Sequence, residues 1–432
     1  VPPAAKAPAP TSDDMPNGDY GGYYTWPEIQ AKIAGWKRDH PDLVHVGTLG
    51  KTLEGRDIPL LRLSDDATVK DGEPEVLLMA GIHPREQQPQ VCLYRLIDEL
   101  LAGYGKDPRL TKLLKERQVW VIPVLNVDGK AYDMAHGNGR DKGADWRKNR
   151  RPNGDGTFGV DLNRNFSVRW GGSRAYSDSW KTTTTDTKGN IYEGPAPLSE
   201  PESKALTEFI ASRPKLRAFM DIHSPLRVIL YPQHLIGPEY ARFHRIATGM
   251  QTRQKSGAYP ITKSSPDSEP APGVRGGDSG LTYAWAYYTR GVYAFNMEIG
   301  LPQRYPPVDA IQKEYDDNFR EPLLYFLEAA ADLPLPKQGN ARCERFTLSA
   351  DPTPGAEIAL TPEIGGRCDY AVLVSGSPDV VVPSEYRKVL VKTGFTVQVS
   401  PTAKPGTAIP LTLYLWDRDR GGSVARLTLT VK

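Results

Sequence analysis
Residues 75–81, Glu-Val-Leu-Leu-Met-Ala-Gly, form an apolar run of strand length, and Gln87 opens a helical pattern in which Cys92, Leu93, Leu96, Ile97, Leu100 and Leu101 recur on one face. A strand that is apolar at consecutive positions has to be covered on both faces, and the covering elements are normally the helices of crossover connections. Residues 216–222 and 292–297 repeat the apolar run. Thr25, followed by Trp26 and Pro27, opens a helix whose Ile29, Ile33 and Trp36 share a face. Ser199 and Glu202 read as a capping box ahead of Leu206, Phe209 and Ile210. The expected fold is α/β, with a mixed, mostly parallel sheet and helices on both faces, over residues 18–335.

The texture changes after the Pro-rich stretch Leu333-Pro334-Leu335-Pro336. Short alternating strands follow, with Phe395, Val397 and Val399, then Leu411, Leu413 and Leu415, then Leu427, Leu429 and Val431 on single faces. Residues 341–432 therefore predict a small all-β sandwich, an appendage without a catalytic constellation and with its partner unknown. Residues 1–17 read as a Pro/Ala-rich tether. Two compact cores suit a chain of 432 residues.

Lys and Arg number 54 against 52 Asp and Glu, a net charge of +2, which argues against a nucleic-acid partner. No run is long and apolar enough for an integral membrane segment. The opening Val1-Pro2-Pro3 suits a mature secreted or periplasmic protein. In such a compartment Cys343 and Cys368 can pair as a disulfide, whereas Cys92 lies on an apolar helix face.

The chemistry gathers where the apolar runs end. His83 and Glu86 sit in the turn between a strand and a helix, the usual place for a ligand pocket in an open α/β sheet, and His223 ends the second run. Two imidazoles and one carboxylate suit zinc, and three protein ligands leave a fourth position open for water or substrate. A histidine followed three residues later by an acid is weak on its own, since a core imidazole and a helix-starting Glu explain it equally well. Its position at strand ends gives it weight.

The segments His83-Pro84-Arg85-Glu86, Asp145-Trp146-Arg147-Lys148-Asn149-Arg150, Gly159-Val160-Asp161-Leu162-Asn163-Arg164-Asn165-Phe166, Ile222-His223-Ser224 and Phe295-Asn296-Met297-Glu298-Ile299 stand in one order along roughly residues 20 to 330. In that order they resemble the zinc metallocarboxypeptidases of the carboxypeptidase A type. The resemblance implies one zinc per chain held by His83, Glu86 and His223, with Asp161 orienting a ligand imidazole from behind. It implies Glu298 as the general base and Arg147 as the group facing the oxyanion. Asn163 and Arg164 would grip the terminal carboxylate of the substrate, a peptide or protein C-terminus.

One departure concerns the mobile tyrosine that the family carries on the loop before its catalytic Glu. Residues 262–280 contain none, leaving Tyr259, Tyr283, Tyr287 and Tyr288 as candidates. For the side-chain pocket, Tyr283 falls at the base when counted back from Glu298, with Asp278, Ser279, His234 and Arg275 as further options. Aromatic or apolar, basic and acidic preferences stay open. Two rival readings accompany the exopeptidase: a peptidoglycan cross-bridge peptidase on the same scaffold, and a non-catalytic peptide-binding module.

Overall fold
A computed structural model describes residues 23–65, 73–137, 143–168, 170–171, 183–232, 235, 237–261, 280–301, 303–335, 337–338, 341–368, 370–375, 377, 379–382, 386–388, 394–416 and 421–432. The tether, His234, Arg275, Asp278 and Ser279 lie outside the described residues.

The larger part carries helices α1 (Trp26–Asp39), α2 (Gln87–Gly103), α3 (Pro108–Glu116), α4 (Val127–Ala135), α5 (Pro201–Ser212), α6 (Gly237–Gln251), α7 (Thr282–Arg290), α8 (Val308–Glu314) and α9 (Arg320–Ala330). Its strands are β1 (Val44–Lys51), β2 (Asp57–Leu63), β3 (Glu75–Met79), β4 (Gln118–Ile122), β5 (Leu216–His223), β6 (Val228–Leu230) and β7 (Tyr293–Glu298). They form one sheet in the order β1-β2-β4-β3-β5-β7-β6. β4, β3, β5 and β7 run parallel, while β1, β2 and β6 are antiparallel additions at the two edges. Every residue of β3, β4 and β7 is buried, so both faces of the parallel centre are covered, as the uninterrupted apolar runs predict. Each fully buried Val, Leu or Ile there contributes about 1.5–3 kcal/mol.

A short fully buried strand also has to settle its polar residues. Glu75 starts β3 and is met by Arg213 at 2.7 and 2.8 Å and by the Trp120 indole at 2.9 Å. α1 starts at Trp26, where the backbone N–H and hydroxyl of Thr25 both donate to Glu28, at 2.7 and 2.8 Å. The capping box expected at Ser199 is not formed. α5 begins at Pro201 with Glu200 as its cap residue, because the Ser199 hydroxyl donates to Glu200 at 2.7 Å and accepts from Asn165 at 3.0 Å. Glu202 is buried instead of reaching back to a cap.

The C-terminal part is a two-sheet sandwich. β9 (Arg342–Leu348), β10 (Glu357–Gly365), β12 (Val380–Val381) and β14 (Phe395–Val399) form one sheet. β8 (Lys337–Gln338), β11 (Tyr370–Ser375), β13 (Tyr386–Lys388), β15 (Ala408–Trp416) and β16 (Gly421–Thr430) form the other. Ile358, Leu360, Phe395 and Val397 of the first meet Leu373, Leu411, Leu413 and Leu427 of the second in a core separate from that of the larger part. Tyr414, on the opposite face of β15 from Leu413, packs against the larger core. The disulfide that Cys343 and Cys368 could form is not made, and the Cys343 thiol donates to the Arg345 carbonyl at 3.1 Å. Cys343 pairs within the ladder with Ile364, and Cys368 lies past the end of that strand.

Candidate active site
The parallel strands deliver their functional groups at one edge, the C-terminal one, where ligand crevices of open α/β sheets lie. His223 is the last residue of β5 and stands in register with Glu298, the last residue of β7. His83 follows the end of β3, and Glu86 immediately precedes α2 with its side chain making no cap hydrogen bond. Asp161, Asn163 and Arg164 come from a single 3-10 turn, Leu162–Arg164, with the Asp161 carboxylate accepting from the Asn163 N–H at 3.1 Å. Gly280 lies against this turn with φ +67°, and a Cβ there would stand 2.2 Å from the Arg164 carbonyl oxygen, so the close approach requires glycine.

The two imidazoles converge on one carboxylate. Nδ1 of His83 lies 2.8 Å from Glu86 Oε1, and Nδ1 of His223 lies 3.1 Å from Glu86 Oε2. The potential ligand atoms of the three residues all lie within 4.8 Å of one another. Each ring is held from behind, with His83 Nε2 3.0 Å from Asp161 and His223 Nε2 3.0 Å from Asp221. A proton on Nε2, donated to these aspartates, leaves the Nδ1 lone pairs facing Glu86, which is the tautomer a metal needs. The charged groups of the cluster are paired with one another. Burial opposes the charged form of Glu86, yet the two histidines outweigh it and hold the carboxyl well below its usual range. Burial likewise opposes a charged His223, but Asp221 and Glu86 hold the imidazole well above its usual range. This cluster of buried anions calls for positive charge at its centre, and a zinc ion fits the donor set.

Around this centre lies a cleft of about 260 Å³ lined by Arg147, Asn163, Arg164, Tyr283 and Glu298, as well as by the three cluster residues. Glu298 is 9% exposed, accepts from the Leu226 N–H at 3.3 Å and is pushed by burial up to about 7. Arg147 donates from Nε and Nη2 to one oxygen of Asp161, at 3.0 and 2.8 Å, and its Nη1 lies 3.6 Å from Glu86. Burial lowers its pKa, but Asp161 and Glu86 more than compensate and hold the guanidinium charged. Asn163 accepts from the Thr282 N–H at 3.1 Å, which turns its amide nitrogen toward His223 at 3.4 Å. Arg164 donates to the Asn163 carbonyl at 2.6 Å.

Of the tyrosine candidates, Tyr283 lines the cleft. Tyr259 is fully buried with its hydroxyl on Glu314, and Tyr287 donates to the buried Glu239 at 3.0 Å. Tyr288 is also buried. Sequence reasoning overlooked Asp221, although its place two residues before His223 in a strand puts both side chains on one face. It also overlooked Arg85 and Arg304, which line the mouth of the cleft and share Asp145 at 3.7 and 2.8 Å, and Asn296 and Leu230 within the cleft.

A family model described as zinc carboxypeptidase matches residues 29–321. A zinc carboxypeptidase of Saccharothrix mutabilis subsp. capreolus is 39% identical over 160 residues, 37% of this chain and 36% of that protein. Mast cell carboxypeptidase A of Rattus norvegicus is 35% identical over 217 residues, 49% of this chain and 48% of that protein. The chain thus spans less than half the length of these relatives. The solved carboxypeptidase A of Helicoverpa armigera shares the fold, with a TM-score of 0.60 at 22% identity over 72% of this chain and 74% of that one. On these matches the chain belongs to the zinc carboxypeptidase family, whose cofactor is zinc.

Proposed function
We propose that this chain hydrolyses the C-terminal peptide bond of peptides or proteins. The observation that carries the reading is one cleft holding the His83, Glu86 and His223 cluster, the buried carboxylate of Glu298 and the guanidinium of Arg164. His83, Glu86 and His223 hold the metal, with Asp161 and Asp221 orienting the two rings. Zinc, when bound, supplies a Lewis acid beside the scissile carbonyl and acidifies a water.

Glu298 takes a proton from the attacking water and returns it to the amine as the C–N bond breaks. Arg147, fixed by Asp161, presents Nη1 to the oxygen that gains charge. Arg164 and Asn163 hold the terminal carboxylate, which restricts cleavage to the last residue. Among the described residues, Tyr283, Leu230, Leu281 and Asn296 line the cleft with neutral side chains. Residues 18–335 form the catalytic domain and 341–432 an appendage, in a secreted or periplasmic protein. No helix among the described residues is long and apolar enough to cross a membrane.

The test compares matched peptide acids and amides. Amidation leaves a guanidinium without its partner, which costs roughly 2 to 5 kcal/mol, and each 1.36 kcal/mol is about tenfold in rate. Specificity, kcat/KM, should fall by about thirtyfold or more on the amide. Arg164→Ala should lose activity on the acid and discriminate little between the two. Equal cleavage of acid and amide by the wild type would turn the reading toward an endopeptidase or amidase.

A further inference from the structure
Beneath the cleft, outside the metal cluster, one buried carboxylate gathers three separate segments. Asp133, on α4, is fully buried. Its Oδ1 accepts from the Trp146 N–H at 2.8 Å, and its Oδ2 accepts from the Gln87 amide at 3.1 Å and the Tyr305 hydroxyl at 2.9 Å. Its own carbonyl accepts from the Ala144 N–H at 2.9 Å. Each side-chain partner is the chain neighbour of a residue that lines the cleft: Gln87 follows Glu86, Trp146 precedes Arg147, and Tyr305 follows Arg304. Gln87 is pinned further, since its nitrogen also donates to the Pro84 carbonyl at 2.8 Å and its oxygen accepts from the buried Lys130. Gly143 makes the junction possible, because a Cβ there would meet Asp133 Oδ2 at 2.2 Å and the Tyr305 hydroxyl at 2.6 Å.

The segment that most needs this anchor is the one that carries Arg147. Residues 143–146 belong to no helix or strand, and Asp145 sits at φ 58°. The Arg85 N–H donates to the Trp146 carbonyl at 3.0 Å, and Asp133 takes the Trp146 N–H on the other side of the same residue. Trp146 is therefore clamped between the turn that bears Glu86 and the helix that bears Asp133.

Resting on the peptidase reading above, we propose that Asp133 is a positioning residue of this site, setting Arg147, and with it Glu86 and Arg304, relative to one another from a single point. A misplacement on the order of 1 Å at a catalytic group can cost about a hundredfold in rate. Packing alone would ask only that Asp133 fill its space. Positioning asks that its loss fall on groups that act in the transition state.

The experiment uses the zinc-loaded full chain and two probes besides a peptide substrate. One is a phosphonate peptide analogue with a tetrahedral centre, and the other is 3-phenylpropanoate, which offers a carboxylate and an apolar ring without that centre. Asp133→Ala should lower kcat by about 10- to 100-fold with KM within about threefold. The Kd of the phosphonate should rise by the same factor as kcat falls, with that of 3-phenylpropanoate within about threefold. Asp133→Asn, which keeps an acceptor for the Trp146 N–H but turns a donor toward Gln87, should recover part of both losses. Equal phosphonate affinity in wild type and Asp133→Ala, or equal weakening of both probes, would overturn the proposal. Should Asp133→Ala fail to fold, Tyr305→Phe removes one donor only and should shift the same ratio of affinities about two- to fivefold, and an unchanged ratio would count against it. A wild type that cleaves no peptide sinks the peptidase reading, while the ratio of the two affinities still decides the role of Asp133.

Discussion
The two hydrophobic cores of this chain are built on opposite terms. In the sandwich, Ser375 is the only buried polar residue among the described ones, and the interior is otherwise aliphatic with Phe395 and Cys343. The α/β part buries His83, Glu86, Asp133, Asp161, Glu202, Asp221, His223 and Glu298 at less than a tenth of their surface. Burying a charge costs several kcal/mol unless it is paired and hydrogen-bonded. The α/β part carries part of that cost at the C-terminal ends of its parallel strands, where His83, Glu86, His223 and Glu298 line the cleft. The sandwich spends its sequence on packing. The contrast separates residues kept for chemistry from residues kept for the fold, and substitutions in the two regions should therefore fail differently.

The largest effect is expected at Glu298. Glu298→Gln preserves shape and should retain zinc, but should lower kcat by about two to four orders of magnitude, the range for loss of a positioned general base. In the wild type, the basic form of Glu298 is lost as pH falls, so kcat/KM should decline on the acid side at about 7 or below. Activity of Glu298→Gln within a few-fold of wild type would place the base elsewhere.

Leu413→Ala opens a cavity in the sandwich and should cost about 2–5 kcal/mol of stability. Denaturant unfolding followed beside kcat would show a loss of one without the other; a matching fall in kcat would mean that the appendage supports the cleft. Asp221→Ala frees the Nε2 side of His223 and should weaken zinc about 10- to 100-fold. Competition with a chelating dye measures it, and unchanged affinity would show that the carboxylate does not orient the ring.

The smallest effect concerns a buried acid away from the cleft. Burial pushes Glu202 up to about 8, one of its oxygens has no hydrogen-bond partner, and Glu200 and Asp128 add to the shift. The folded chain thus binds this proton more tightly than the unfolded chain does. The stability it lends is whole below the unfolded value near 4.5 and is lost as pH rises through 8. Glu202→Gln should match the wild type in Tm at pH 4 and exceed it by about 1–3 kcal/mol of stability near pH 8.5. A Tm difference that does not vary with pH would refute the buried proton.

What was legible in the chain follows from the same contrast. β3, β5 and β7 could be read because burial on both faces demands unbroken apolar runs, and His83, Glu86 and His223 stood out because they end those runs. Asp221 was hidden by the rule that revealed its strand: inside an apolar run it reads as an interruption, and only the ring of His223 gives it a purpose. Asp133 had no local signal at all, since its partners come from three distant segments. Whether Cys343 and Cys368 pair stayed open for a related reason, because spacing along a chain says nothing about which way a thiol points in a strand ladder.

The pairing of His223 with Glu298 in neighbouring strands reaches past catalysis. The Ile299 N–H donates to the His223 carbonyl at 2.7 Å, so the proposed metal ligand and the proposed general base are joined by one rung of a peptide ladder. Their separation is thereby insulated from the loops around them. Changes in those loops leave this one spacing intact, whereas Glu86 and Arg147, which ride on loop segments, move with them. For engineering, the strand edge is a chassis to leave alone, together with the segments that carry Glu86 and Arg147.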